Sequence, residues 1–125
     1  MIGIDVVSID RFEKFLDRYG SKALERFLTK EEISLRSSPA SYAGFWAAKE
    51  AVSKALGTGI GKDCSFFDIR LGHDSKNAPY FTLSKQIIDR YKITDTTLSI
   101  THDSGFAIAV VYIDTLEKKD KQLSH

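Results

Sequence analysis

Cysteine is almost missing from this chain of 125 residues: Cys64 stands alone. No disulfide can close within the chain, the usual cysteine-based zinc site is disfavoured, and a cytosolic place is expected. Cys64 reads as a small core residue. Charge of one sign is lacking too. The 18 Lys and Arg nearly balance the 17 Asp and Glu, a net charge of +1, which argues against nonspecific nucleic-acid binding but leaves room for a local basic patch. No stretch approaches the roughly 20 apolar residues of a membrane helix. Met1-Ile-Gly-Ile-Asp5 carries no basic leader, so no signal peptide is expected. There is no internal repeat and no linker. One domain over residues 1–114 is expected, followed by a polar tail over 115–125 that frays. Hydrophobic residues at 42% and charged residues at 28% fit an ordinary soluble globular protein.

What is present reads as an α+β fold, an antiparallel sheet packed against helices. Ile2, Ile4 and Val6 alternate with Gly3, Asp5 and Val7, a period of two that predicts a strand and puts Asp5 on the face opposite the isoleucines. A carboxylate in so apolar a strand needs a reason. Ser8 caps a helix over 9–19 that Gly20 stops. Thr29-Lys-Glu-Glu32 is a capping-box pattern that starts a short helix over 30–37, broken by Ser37-Ser-Pro-Ala. The next helix runs from about Ser41 to Leu56. Beyond Gly61, strands are expected over 66–71 and 80–83, then a short helix capped by Ser84 to about Tyr91. A hairpin of 97–101 and 106–113 turns around Asp103-Ser-Gly105.

Chemistry concentrates in Trp46-Ala-Ala-Lys-Glu-Ala-Val-Ser-Lys-Ala-Leu-Gly-Thr-Gly59. Residues three and four apart share a helical face, so Glu50, Ser53, Lys54 and Gly57 line up, with Ala48, Val52, Ala55 and Leu56 opposite. Magnesium takes oxygen ligands, commonly one or two carboxylates plus substrate phosphates. Asp5 and Glu50 supply such a pair if the first strand packs beside this helix, and Lys54 can then reach a phosphate oxygen. Gly57-Thr-Gly-Ile-Gly61 permits close backbone approach, though it lacks the Walker ending because Lys62 precedes Asp63. The plain alternative is an exposed Glu50–Lys54 ion pair worth about 0.2–0.5 kcal/mol and a glycine that only ends the helix.

Taken together, Gly3-Ile-Asp5, Phe27-Leu-Thr29 with Glu32, the 46–59 segment, Phe67-Asp-Ile69, Asn77-Ala-Pro-Tyr80 and Ser99-Ile-Thr-His102 resemble the holo-acyl-carrier-protein synthases, the small class of 4′-phosphopantetheinyl transferases. The resemblance implies transfer of the phosphopantetheine arm of coenzyme A to a serine of apo-acyl carrier protein. The second product is 3′,5′-ADP, and the setting is fatty acid biosynthesis. It implies a cytoplasmic homotrimer with active sites between subunits. It implies Mg²⁺ on Asp5 and Glu50, Lys54 on the pyrophosphate with Ser53 and Gly57 beside it, and His102 at the adenosine 3′-phosphate end. Arg11 falls where the family docks the acidic carrier. For the proton of the serine, the choice lies between Asp5, Glu50 and a water. A metal-bound carboxylate is a poor base, which favours a water near Glu50. The chain departs from the family at Phe45, where an arginine is usual, and in the connection 35–42, whose one cation is Arg36.

Two other functions fit the residues. A noncatalytic carrier-protein or nucleotide-binding module would use the basic first helix and the glycine turn without metal. A Mg²⁺-dependent phosphohydrolase would pass the same phosphate to water.

Overall fold

The alternation at the N-terminus becomes β1 (Ile2–Ser8) in a computed structural model that describes residues 1–116. The tail expected from residue 115 lies, from 117 onward, outside the described residues. Ser8 then accepts from the Arg11 amide at 3.3 Å and caps α1 (Ile9–Tyr19), which Gly20 ends at φ 69°. A single further turn, α2 (Lys22–Glu25), carries no sequence signal beyond its buried Ala23 and Leu24.

The capping box forms as expected at α3 (Lys30–Ser34), where the Thr29 hydroxyl accepts from the Glu32 amide and a Glu32 oxygen accepts from the Thr29 amide. The helix stops before the expected Ser37. The Tyr42 hydroxyl donates to the Ile33 carbonyl at 2.7 Å and so ties the end of α3 to the next helix. That helix, α4 (Pro39–Leu56), starts two residues earlier than expected. Pro39 opens it at a first-turn position, where a missing amide costs nothing. The Ser38 hydroxyl accepts from the Ser41 amide at 3.1 Å, and Gly57 closes the helix at φ 79°.

The strand expected over 66–71 is a correction. Ser65 and Asp68 form a second capping box, which winds Phe66–Asp68 into a 3₁₀ turn. The strand β2 (Ile69–His73) follows and pairs antiparallel with β3 (Pro79–Leu83). Ser84 precedes α5 (Lys85–Tyr91) but does not cap it; its hydroxyl is buried without a partner among the described residues. The closing hairpin is longer than expected, β4 (Ile93–Asp103) and β5 (Phe106–Thr115). Ser104 and Gly105 both have positive φ, 51° and 83°, the twist that a two-residue hairpin turn requires.

The fold is α+β. One sheet has the order β1-β5-β4, all antiparallel, and β2-β3 forms a second. Helix α4 crosses the first sheet. From Tyr42 to Leu56 every residue is buried except Trp46, Glu50 and Lys54, which share one stripe at four-residue spacing. The sheet side of the contact is made of small groups. Gly3, Ala107, Ala109 and Val111 face the helix, and Ala47, Ala48, Ala51 and Ala55 are buried in return. At Gly3 the approach is so close that an added Cβ would sit 1.8 Å from the Ala51 carbonyl oxygen. The opposite side of the sheet stays open. Ile2, Ile4, Val6, Val110 and Tyr112 are exposed there.

Candidate active site

Because Gly3 draws β1 onto α4, the side chain two residues on, Asp5, meets the last two turns of that helix. Lys54 Nζ donates to Asp5 Oδ1 at 2.7 Å. The alternative of a Glu50–Lys54 surface pair is thus not what forms. Lys54 turns to the strand, and its hydrogen bond to Asp5 raises the ammonium above the usual lysine range. Glu50 lies on the same stripe of α4. Burial first, and then the negative charge of Asp5, raise its carboxyl above the usual carboxylate range, with Lys54 opposing. Two carboxylates that repel across a gap, with a cation drawn to them, suit a divalent metal held by two acidic oxygens, phosphate and water.

The other expected site residues divide. Ser53 is fully buried, and its hydroxyl donates to the Glu50 carbonyl at 2.7 Å. The Ser53 carbonyl in turn accepts from the Thr58 and Gly59 amides, so Ser53 anchors the glycine turn after Gly57. His102 lies at the other end of α4. Its Nε2 is 2.9 Å from the Ala40 carbonyl, an acceptor only, so this nitrogen carries a hydrogen. Ser41, Phe45, Ile100 and His102 line a cavity of about 150 Å³ together with Arg36 and Asn77. The Arg36 guanidinium lies 5.3 Å over the Phe45 ring and donates to His73 Nδ1 at 3.2 Å. About 13 Å of helix separates Phe45 from Lys54. Arg11 is exposed on α1.

Lys49 escaped the sequence reading. It is fully buried next to Glu50 in the chain and donates to Glu32 Oε1, the Phe27 carbonyl and the Phe66 carbonyl at 2.7–2.9 Å. Burial lowers its ammonium below the usual lysine range, with Glu32 opposing. Glu32 Oε2 accepts from the Leu71 amide at 2.9 Å. One carboxylate therefore joins α3, α4 and β2. Trp46 packs against Phe27 and Phe66, with ring centroids 5.0 and 5.1 Å away. Cys64 is buried, and desolvation pushes its thiol up to about 11, which makes it an inert core group.

Comparison with known proteins joins these observations. The family model described as the 4′-phosphopantetheinyl transferase superfamily matches residues 1–111. A protein of Wolinella succinogenes named holo-[acyl-carrier-protein] synthase is 58% identical over 114 residues, covering 91% of this chain and 97% of that one. The crystal structure of the Helicobacter pylori holo-[acyl-carrier-protein] synthase in complex with coenzyme A superposes with a TM-score of 0.88 at 54% identity, over 91% of this chain and all of that one. A Bacillus anthracis holo-(acyl-carrier-protein) synthase in complex with coenzyme A (3′,5′-ADP) gives a TM-score of 0.77 at 39% identity, over 91% and 95%. On this family match, relatedness and shared fold, the chain belongs to the 4′-phosphopantetheinyl transferase superfamily.

Proposed function

We propose that this protein is a Mg²⁺-dependent holo-[acyl-carrier-protein] synthase. It moves the 4′-phosphopantetheine group of coenzyme A to a serine hydroxyl of apo-acyl carrier protein and releases 3′,5′-ADP, in fatty acid biosynthesis. The observation that carries this reading is the convergence of Asp5 on the Glu50–Lys54 stripe of α4, in a chain 58% identical to a protein of that name.

The serine oxygen bonds to the β-phosphorus of coenzyme A as the bond from that phosphorus to the 3′,5′-ADP oxygen breaks. Little covalent chemistry falls to the protein, so positioning and charge neutralisation dominate. Asp5 and Glu50 are the residues to hold Mg²⁺, which when bound supplies a Lewis acid for the pyrophosphate. Lys54, on a flexible arm in reach of both carboxylates, offsets charge on the departing phosphate. The glycine turn after Gly57, fixed by the Ser53 carbonyl, lets the diphosphate approach the backbone. The serine proton passes to a water beside Glu50. The Arg36–His102 cavity, about 13 Å along α4, fits the adenosine 3′-phosphate end of coenzyme A. Arg11 and its neighbours Lys14 and Arg18 on α1 offer cations to an acidic carrier.

A subunit of this size holds one such unit, and its cleft needs further walls. The open apolar side of the first sheet, with Ile2 and Ile4 at 69% and 55% exposure, supports a homotrimer with sites between subunits, since a contiguous apolar patch marks an interaction surface. No helix among the described residues is long and apolar enough to cross a membrane. A cytoplasmic place agrees with a single thiol kept in the core.

The deciding experiment mixes the purified protein with coenzyme A, Mg²⁺ and apo-acyl carrier protein and follows the carrier by mass spectrometry. The carrier gains one phosphopantetheine. Asp5→Ala and Glu50→Ala each lower the rate by at least about a hundredfold, because a Lewis acid on the transferred group supplies several kcal/mol. Full activity in either variant refutes the metal pair. Release of phosphopantetheine to water without modified carrier would instead point to a hydrolase.

A further inference from the structure

We infer that Lys54 and the divalent cation compete for the Asp5 carboxylate, so that Lys54 couples metal binding to pyrophosphate binding. This rests on the metal pair proposed above.

Lys54 Nζ is 2.7 Å from Asp5 Oδ1, and the Asp5 side chain is only 13% exposed, whereas that of Lys54 is 53% exposed. The carboxylate is held by its strand, which Gly3 seats against the helix, while the ammonium rides on a solvated arm. Magnesium binds carboxylate oxygens at about 2.0–2.1 Å and tolerates little distortion. An ammonium hydrogen-bonded to Asp5 Oδ1 and an ion on either oxygen of that carboxylate would stand close together, two positive charges on one anionic group. That repulsion favours departure of Lys54 from Asp5 as the ion takes the carboxylate. The ammonium then needs another anion, and a pyrophosphate held beside Asp5 and Glu50 supplies it. Lys54 weakens metal binding while it rests on Asp5 and strengthens nucleotide binding once it has moved. Coenzyme A, by drawing Lys54 off Asp5, raises metal affinity, and by linkage the metal raises affinity for coenzyme A.

The expected signs separate this role from that of a lysine that only touches phosphate. The test measures Mn²⁺ binding to the full-length protein, from the electron paramagnetic resonance signal of free Mn²⁺, with and without coenzyme A. In Lys54→Met without coenzyme A, Mn²⁺ binds about three- to tenfold more tightly than in wild type, as loss of a half-exposed cation beside a divalent ion allows. The gain in Mn²⁺ affinity on adding coenzyme A shrinks in the variant, and coenzyme A itself binds more weakly. Lys54→Gln behaves alike, and salt compresses the difference. Exposure of the side chain leaves the fold intact, which circular dichroism checks. Unchanged or weaker Mn²⁺ binding in both variants overturns the exchange and leaves the metal pair standing. Failure of wild type to bind Mn²⁺, or binding that survives Asp5→Ala and Glu50→Ala, overturns the metal pair and the exchange together.

Discussion

Glu50 carries a cost that its neighbours explain. Its carboxyl is raised by burial and by Asp5, so in the absence of metal the folded chain holds that proton to higher pH than the unfolded chain does. In the window from the ordinary glutamate range up to the raised value, the folded state binds more protons than the unfolded one, and stability falls as pH rises. At neutral pH the ionised group is a net burden. Glu50→Gln removes it, and the melting temperature at pH 7 without metal rises, while activity is lost. The same thermal scans at pH 4 show little difference between the two proteins. A lower melting temperature for Glu50→Gln at pH 7 would mean that the carboxylate is stabilised by something other than metal. For the proposed metal pair the same pKa direction predicts that, as pH falls through the raised value, Glu50 protonates and rate is lost through metal affinity, visible as a rising Mg²⁺ requirement.

The elements are locked by two contacts with opposite characters. One is a lack of volume. Gly3 permits β1 to touch the α4 backbone, and a Cβ there would meet Ala51 oxygen at 1.8 Å. A main-chain atom cannot swing aside, so Gly3→Ala must lift the strand; overpacking of this kind costs about 1–3 kcal/mol. Since Asp5 moves with the strand, Mn²⁺ affinity falls as well. Val52→Ala, an ordinary core truncation of α4, serves as control: it destabilises without changing metal affinity. The other contact is a charge. Lys49, buried among Glu32 and two carbonyls, holds α4 against α3 and the 3₁₀ turn. Lys49→Met strands a buried Glu32 carboxylate, and denaturant unfolding registers a loss of about 3–5 kcal/mol. The capping-box pattern in the sequence found Glu32 but assigned it only to the start of α3. Its second bond, to a lysine 17 positions away, has no local signature.

The assembled subunit presents a sheet that is covered on one side only. Alternation along β1 and β5 sends glycine and alanines inward and Ile2, Ile4, Val6, Val110 and Tyr112 outward. In an antiparallel sheet the outer side is normally polar. Here it is apolar, and if it is the face of the proposed homotrimer, placing a charge at its centre, as in Ile4→Glu or Val110→Glu, splits that trimer into folded monomers. Light scattering reports the mass, circular dichroism the retained fold, and the carrier assay the lost activity. Fully active monomers would separate the site from the interface.

Helix and strand positions were largely legible because caps, glycine stops and the two periodicities are local properties. Ser8, Thr29, Gly20 and Gly57 act within a few residues of where they stand. The segment 46–59 announced its chemistry in the same way, since helical spacing alone aligns Glu50 with Lys54. The expected strand start at Phe66 is a 3₁₀ turn because the Ser65–Asp68 capping box, a local pattern spanning three positions, outweighs the strand preference of its aromatics, whereas the tie from the Tyr42 hydroxyl to the Ile33 carbonyl, nine positions away, has no local signature. Which partner each charge takes is a matter of the third dimension. Spacing paired Lys54 with Glu50, yet the folded chain pairs it with Asp5, 49 positions away. Lys49, one residue before Glu50, goes to Glu32 instead. Electrostatic energy depends on distance and burial, and both follow from how closely a strand with Gly3 can approach a helix made of alanines.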